Sequence, residues 1–153
     1  MQVFGYCRVS TTEQADDGVS LAAQKQQIAG YAMMKGWKLA DVFIEAGVSG
    51  SVPLAERPEG RRLLEAVSKG AVVITAKLDR MFRSAADALV TLEELKSQGV
   101  ALHMIDLGGD VTGNGISKAM RKANKTLREI GTALNMPFKT VARILDREKA
   151  PDR

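Results

Sequence analysis

Ala71-Val72-Val73-Ile74-Thr75-Ala76, followed at once by Lys77-Leu78-Asp79-Arg80-Met81-Phe82-Arg83-Ser84, is the stretch that decides the fold of this chain. A half-buried strand alternates apolar and polar residues, whereas this run is apolar or β-branched at every position. That pattern belongs to a strand covered on both faces, as in a parallel sheet with helices on either side. Charge then arrives abruptly, at the carboxyl end of the strand.

Working outward, Val3 to Val9 reads as another strand. Ser20 to Lys35 reads as a helix with Ser20 as N-cap and Gly36 as its stop. Lys38 to Ile44 is a strand, and Gly47 to Pro58 is a loop broken by Gly47, Gly50 and Pro53. Pro58 opens a helix with Leu63, Leu64 and Val67 on one face, ending near Gly70. Ser84 to Gln98 is a helix with Ala88, Leu92 and Leu95 in register, and Val100 to Ile105 is a strand. Strands alternating with helices predict a layered α/β domain with a mostly parallel sheet. The run Gly108 to Gly115 has the glycine density of a flexible loop and marks the expected end of that domain, residues 1–113.

The 153 residues suffice for one good core and a small appended module. An apolar share of 45% with 26% charged residues is that of a soluble globular protein. No apolar run is long enough to span a bilayer, and Met1 to Tyr6 lacks the regions of a signal peptide, so a cytoplasmic location without membrane contact is expected. A single cysteine, Cys7, excludes an internal disulfide, and a single histidine, His103, leaves too few ligands for a zinc cluster. His103 falls in a strand and reads as a packed or surface imidazole, so a Ser-His-Asp triad is not expected. Neither a Gly-x-Gly-x-x-Gly run nor a Walker lysine is present, and no carboxylate pair is arranged for two metals. No cofactor and no metal are expected.

The net charge of +4 conceals an asymmetry. Residues 114–153 hold ten basic and four acidic side chains, a net +6, whereas residues 1–113 hold twelve basic and fourteen acidic, a net −2. A near-neutral body with a cationic tail predicts a polyanionic partner bound mainly through the tail.

Parallel sheets place their sites at the carboxyl ends of strands. Ser10 follows the first strand, Arg57 ends the glycine-broken loop, and Asp79, Arg80 and Arg83 follow the central strand. A phosphodiester repels nucleophiles, so its oxygens must be neutralised as charge shifts in the transition state. Arg8, Arg57, Arg80 and Arg83 supply that charge without a metal, and their field favours ionisation of Ser10. Each residue also has a plainer reading: Ser10 capping a turn, Asp79 and Arg80 pairing at the surface, Arg83 solvating a helix start.

Tyr6-Cys7-Arg8-Val9-Ser10-Thr11, Gln24 after Ser20-Leu21, Ser49-Gly50 with Arg57-Pro58, and Lys77-Leu78-Asp79-Arg80 with Arg83-Ser84 together resemble the serine recombinase family of resolvases and invertases. Four motifs in order span about two thirds of the chain. The resemblance implies that Ser10 attacks a DNA phosphate, forming a 5′-phosphoserine and freeing a 3′-hydroxyl. It further implies strand exchange by rotation within a tetramer assembled from homodimers. Arg8, Arg57, Arg80 and Arg83 would then bind and activate the phosphate, while Asp79 and Gln24 orient it or assist proton movement.

In the tail, Thr126-Leu127-Arg128-Glu129 has the form of a capping box, and Leu127, Ile130 and Leu134 give one apolar face. Asn135-Met136-Pro137 makes a turn, and Phe138 to Arg147 reads as a second helix with Val141, Ile144 and Leu145 inward. Residues 126–153 thus resemble an all-α helix-turn-helix, with Arg128, Lys139, Thr140, Arg143 and Arg147 as DNA-binding candidates. An amphipathic hairpin docked on the body is the plainer reading. Residues 114–125 form the connector, and ten of them make a helix of only about 15 Å, short for the long helix this family places there. Alternatively Ile116, Met120, Ala123, Leu127, Ile130 and Leu134 form one seam on a continuous helix of about 28 Å. The leading function is site-specific DNA strand exchange. The rivals are a non-catalytic DNA-binding remnant that occupies or regulates a site, and a small phosphate-ester hydrolase.

Overall fold

The first strand of the chain lies inside the sheet, with a strand paired on either side. In the computed structural model, which describes residues 1–11, 20–112, 128, 129, 132, 137–140, 142 and 143, β1 (Val3–Val9) is followed by α1 (Leu21–Met34), β2 (Leu39–Ala46), α2 (Pro58–Ala66) and β3 (Val72–Thr75). Then come α3 (Leu78–Met81), α4 (Ala85–Ser97), β4 (Ala101–Met104) and β5 (Gly109–Asp110). The sheet order is β2-β1-β3-β4-β5, with the first four strands of the chain parallel and β5 antiparallel to β4.

This order explains where a site can form. The chain leaves β1 for β2 on one side, then returns past β1 to β3 on the other. The direction of winding reverses between β1 and β3, and a crevice opens beyond their carboxyl ends.

Period-two alternation along the strands divides the core into two layers. Val3 and Cys7 of β1, with Val72 and Ile74 of β3, pack on Ile28, Tyr31 and Ala32 of α1. Phe4, Tyr6 and Val73 face the other way, against Leu63 of α2 and Ala88, Leu92 and Leu95 of α4. All seven residues of β1 and all four of β3 are buried, as expected of strands covered on both faces. Each large aliphatic or aromatic side chain so buried contributes about 1.5–3 kcal/mol.

The helix starts follow local chemistry. Ser20 Oγ accepts from Ala23 N at 3.1 Å, capping α1, and Gly36 ends that helix with φ 72°. Pro58 occupies the first turn of α2.

Three stretches differ from the sequence expectation. The helix from Pro58 stops at Ala66 because Val67 turns to an extended backbone, ψ 143°. The segment after β3, for which the sequence predicted no element, contains a one-turn helix, α3. The glycine-rich run is not a loop at its start: Gly109 and Asp110 pair with Met104 and His103, and Val111 is buried in the core. Asp110 stabilises this turn by accepting from Thr112 N and Thr112 Oγ1 at 2.9 and 2.5 Å.

Among the described residues no helix is long and apolar enough to cross a membrane. Residues 128, 129, 132, 138–140, 142 and 143 are helical. The connector 114–125, the capping-box residues Thr126 and Leu127, the turn residues Asn135 and Met136, and Arg147 lie outside the described residues.

Candidate active site

Tyr6 and Arg8 stand two residues apart on β1 and share a face of the sheet. Arg8 is 4% exposed, and its guanidinium reaches across the crevice to α3. Nε donates to Arg80 O at 3.1 Å, Nη2 to Asp79 O at 2.9 Å, and Nη1 to Val48 O at 2.9 Å. Gly50 permits this approach, since a Cβ there would sit 2.9 Å from Arg8 Nη2.

Arg57, at the N-cap of α2, is fully buried. Its Nη1 donates to Arg80 O and to Tyr6 Oη, both at 3.0 Å, Nε to Val52 O at 2.8 Å and Nη2 to Gly50 O at 3.3 Å. Two guanidinium groups therefore meet on the carbonyl of Arg80. The last carbonyls of a helix lack intrahelical partners and carry partial negative charge, so α3 is capped at its carboxyl end by arginines from β1 and α2.

The Arg80 side chain turns back, with Nη1 3.4 Å from Arg8 O and Nε 3.4 Å from Asp79 Oδ1. Asp79 is mostly exposed, and Arg83 is exposed just before α4. Arg83 N donates to Asp87 Oδ2 at 3.3 Å, while Ser84 Oγ accepts from Asp87 N at 3.1 Å, so the start of α4 is capped from both directions. Gln24 of α1 bonds both backbone groups of Arg8. Ser10 is half-buried, one residue beyond the end of β1, where Gly47 N donates to Val9 O at 2.9 Å.

The structure thus brings Arg8, Gln24, Arg57, Asp79 and Arg80 into one hydrogen-bonded group, with Ser10 two residues past Arg8 and Arg83 at the rim. Sequence reading did not single out Tyr6 for a role and missed Glu45. Glu45 is 2% exposed, accepts from Tyr6 Oη at 3.1 Å, and also accepts from Glu59 N and Gly60 N at 3.0 and 2.9 Å. Its carboxylate neutralises the amino end of α2. The available signal was an acid closing the apolar run Val42-Phe43-Ile44. Burial raises the Tyr6 hydroxyl pKa well above its ordinary value, with Arg57 offsetting part of the effect, so the hydroxyl stays a donor.

Among the described residues the buried charged side chains are Arg8, Arg57 and Arg80 against Glu45, with His103 lying elsewhere on β4. Three buried guanidinium groups are therefore gathered at the crevice. His103 packs against Tyr31 and Trp37, with its Nδ1 2.9 Å from Tyr31 Oη. Among the described residues no cluster of three or more His, Cys, Asp or Glu is placed to hold a metal ion.

In the tail, the Arg128 guanidinium lies 5.5 Å from the Phe138 ring centroid. Lys139 and Arg143 are exposed, and Thr140, half-buried, donates its N–H to Pro137 O at 2.9 Å.

Residues 3–140 match the family model described as the resolvase N-terminal domain. The chain belongs to the serine recombinase family. The transposon Tn2501 resolvase of Escherichia coli is 41% identical over 110 residues, covering 71% of this chain and 52% of that protein. Serine recombinase PinQ of Escherichia coli (strain K12) is 36% identical over 109 residues, covering 71% and 51%. The chain spans about half the length of these curated relatives. The crystal structure of the N-terminal catalytic domain of TP901-1 integrase superposes with a TM-score of 0.65 at 27% identity, covering 97% of both chains. A resolvase family site-specific recombinase from Streptococcus pneumoniae gives 0.60 at 26%, covering 98% of this chain and 99% of that one. The five-stranded, mostly parallel α/β domain is therefore a serine recombinase catalytic domain.

Proposed function

We propose that this domain cuts and rejoins DNA through Ser10. The observation that carries the reading is the convergence of the buried Arg8 and Arg80 beside a strand-end hydroxyl at the point where the winding of the sheet reverses. Guanidinium groups gathered at one crevice match the charge and the oxygen geometry of a phosphate. The same charge stabilises the phosphoryl oxygens as the reaction proceeds.

Ser10 Oγ attacks phosphorus as the P–O3′ bond breaks. The serine proton is released, the departing 3′-oxygen takes up a proton, and a 5′-phosphoserine and a free 3′-hydroxyl result. One phosphate ester replaces another, so attack by a 3′-hydroxyl on the phosphoserine reseals the strand without a cofactor. The relatives carry the names resolvase and recombinase, which supports site-specific recombination; the proposed substrate is double-stranded DNA and the proposed assembly a tetramer of homodimers. Lys139, Thr140, Arg143 and Arg147 are proposed to contact the duplex, as is Arg128, whose guanidinium lies over the Phe138 ring.

Covalent trapping tests the reading. The purified chain is incubated with a mixed library of supercoiled DNA and denatured, and protein-linked DNA ends are recovered and sequenced. A linkage lost in Ser10→Ala supports strand cleavage. A gel shift without any linkage supports the binding-only remnant instead.

A further inference from the structure

Arg57 is the most deeply buried arginine of the crevice. It has no exposed surface, and four of its five N–H groups are held by the protein itself: Val52 O, Gly50 O, Arg80 O and Tyr6 Oη. Arg83, by contrast, is exposed. A group that binds a phosphate oxygen must offer it a donor, and Arg57 is packed where a phosphate would have to displace both the 50–52 loop and α3.

The partners of Arg57 form a brace. Glu45 grips the first two N–H groups of α2 after Pro58 and accepts from Tyr6; Tyr6 accepts from Arg57; Arg57 donates to the carbonyl of Arg80. The amino end of α2 is thereby tied to the carboxyl end of α3 through buried, charge-assisted hydrogen bonds, which are the strong and geometrically restrictive kind. α3 is only four residues long and carries Arg80, with Arg83 two residues beyond it.

We propose that Arg57, with Tyr6 and Glu45 behind it, is a positioning residue that holds α3 so that Arg80 and Arg83 meet the phosphate, and that Arg57 does not touch the phosphate itself. This deepens the strand-cleavage reading and rests on it.

The test compares two synthetic substrates carrying a cleavage sequence recovered by the covalent trapping. One has the natural phosphodiester at the scissile position; the other has a methylphosphonate there, in which a methyl group replaces one charged oxygen. An arginine that neutralises this oxygen becomes dispensable on the neutral substrate, whereas a brace is needed equally on both. Arg57→Ala is expected to lower the cleavage rate by about 10²-fold on each, the size of effect that misplaced catalytic groups produce. Arg83→Ala is expected to lose activity on the phosphodiester and to recover on the methylphosphonate.

Tyr6→Phe removes only the hydroxyl that links Arg57 to Glu45 and covers the case in which Arg57→Ala does not fold. It is expected to reduce the rate at saturating DNA on both substrates without changing DNA affinity. Recovery of Arg57→Ala on the methylphosphonate, or full activity of Tyr6→Phe, overturns the proposal. Failure of Arg83→Ala to recover contradicts its half of the proposal, that α3 presents Arg83 to the phosphate. If the wild-type chain forms no Ser10-dependent link at all, the cleavage reading falls and this proposal with it.

Discussion

Gln24 and Arg8 exchange two hydrogen bonds: Arg8 N donates to Gln24 Oε1 at 3.1 Å, and Gln24 Nε2 donates to Arg8 O at 2.9 Å. β3 pairs with β1 only as far as Tyr6. At Arg8 the side-chain amide of α1 takes the place of the absent strand and fixes the backbone two residues before Ser10.

Gln24→Leu strands a buried N–H and weakens the bonding of a buried carbonyl. It is predicted to cost about 1–3 kcal/mol in urea unfolding and to lower covalent trapping by more than the unfolded fraction explains. Gln24→Glu keeps an acceptor for Arg8 N but sets a carboxylate against Arg8 O, and it should also be impaired. Full trapping by Gln24→Leu would show that Ser10 is placed by the strand alone.

Thr75 Oγ1 is buried and has no hydrogen-bond partner among the described residues, next to Tyr6 in the sheet. Replacing it with the near-isosteric methyl of Thr75→Val removes an unsatisfied hydroxyl. Stability should rise by about 1 kcal/mol, read as a higher denaturant midpoint at unchanged slope. A lower midpoint would mean that the hydroxyl is used.

Burial pushes the Cys7 thiol up to about 11 from an ordinary 9.0, with Lys25 opposing part of the shift. The folded sulfur stays a thiol where the unfolded one ionises, so the folded state binds more protons between pH 9 and 11. Stability is predicted to decline as pH rises through this window, by up to about 1.4 kcal/mol per pH unit from this group. Cys7→Ala should flatten that slope, and iodoacetamide at pH 8 should label the wild type only in denaturant. Rapid labelling of the native chain would contradict the burial of β1.

His103 has the opposite sense. Burial lowers its pKa below 6.5, Asp110 acts to raise it and Lys35 to lower it. The unfolded state therefore binds more protons from the folded pKa up to about 6.5, and stability is lost as pH falls through that range. Thermal midpoints measured from pH 7.5 to 5 should drop less in His103→Gln than in the wild type. Equal drops would assign the acid sensitivity to other groups.

Much of this was legible in the residues. The uniform apolar character of β3, the cap at Ser20 and the helical register of Ala88, Leu92 and Leu95 are local signals, and each became an element of the expected kind. The strand-end placement of Ser10, Arg8 and Arg80 followed from the rule for parallel sheets. What sequence could not supply was who bonds whom. Glu45 serves a helix fourteen residues away, and Arg57 serves a carbonyl twenty-three residues away. Those pairings exist only once β1, α2 and α3 are packed together. The glycines after Leu107 signalled a loop, yet Val111 had enough apolar surface to draw the segment into the core and form β5.

The most direct test of the cleavage reading is the identity of the linked atom. DNA covalently attached to the wild-type chain is digested to single nucleotides, the protein is cleaved to peptides, and the modified peptide is fragmented in a mass spectrometer. The account predicts a nucleotide joined through its 5′-phosphate to the oxygen of Ser10, and no modified peptide from Ser10→Ala. A nucleotide on Thr11 or Tyr6, or one joined through a 3′-phosphate, would contradict it.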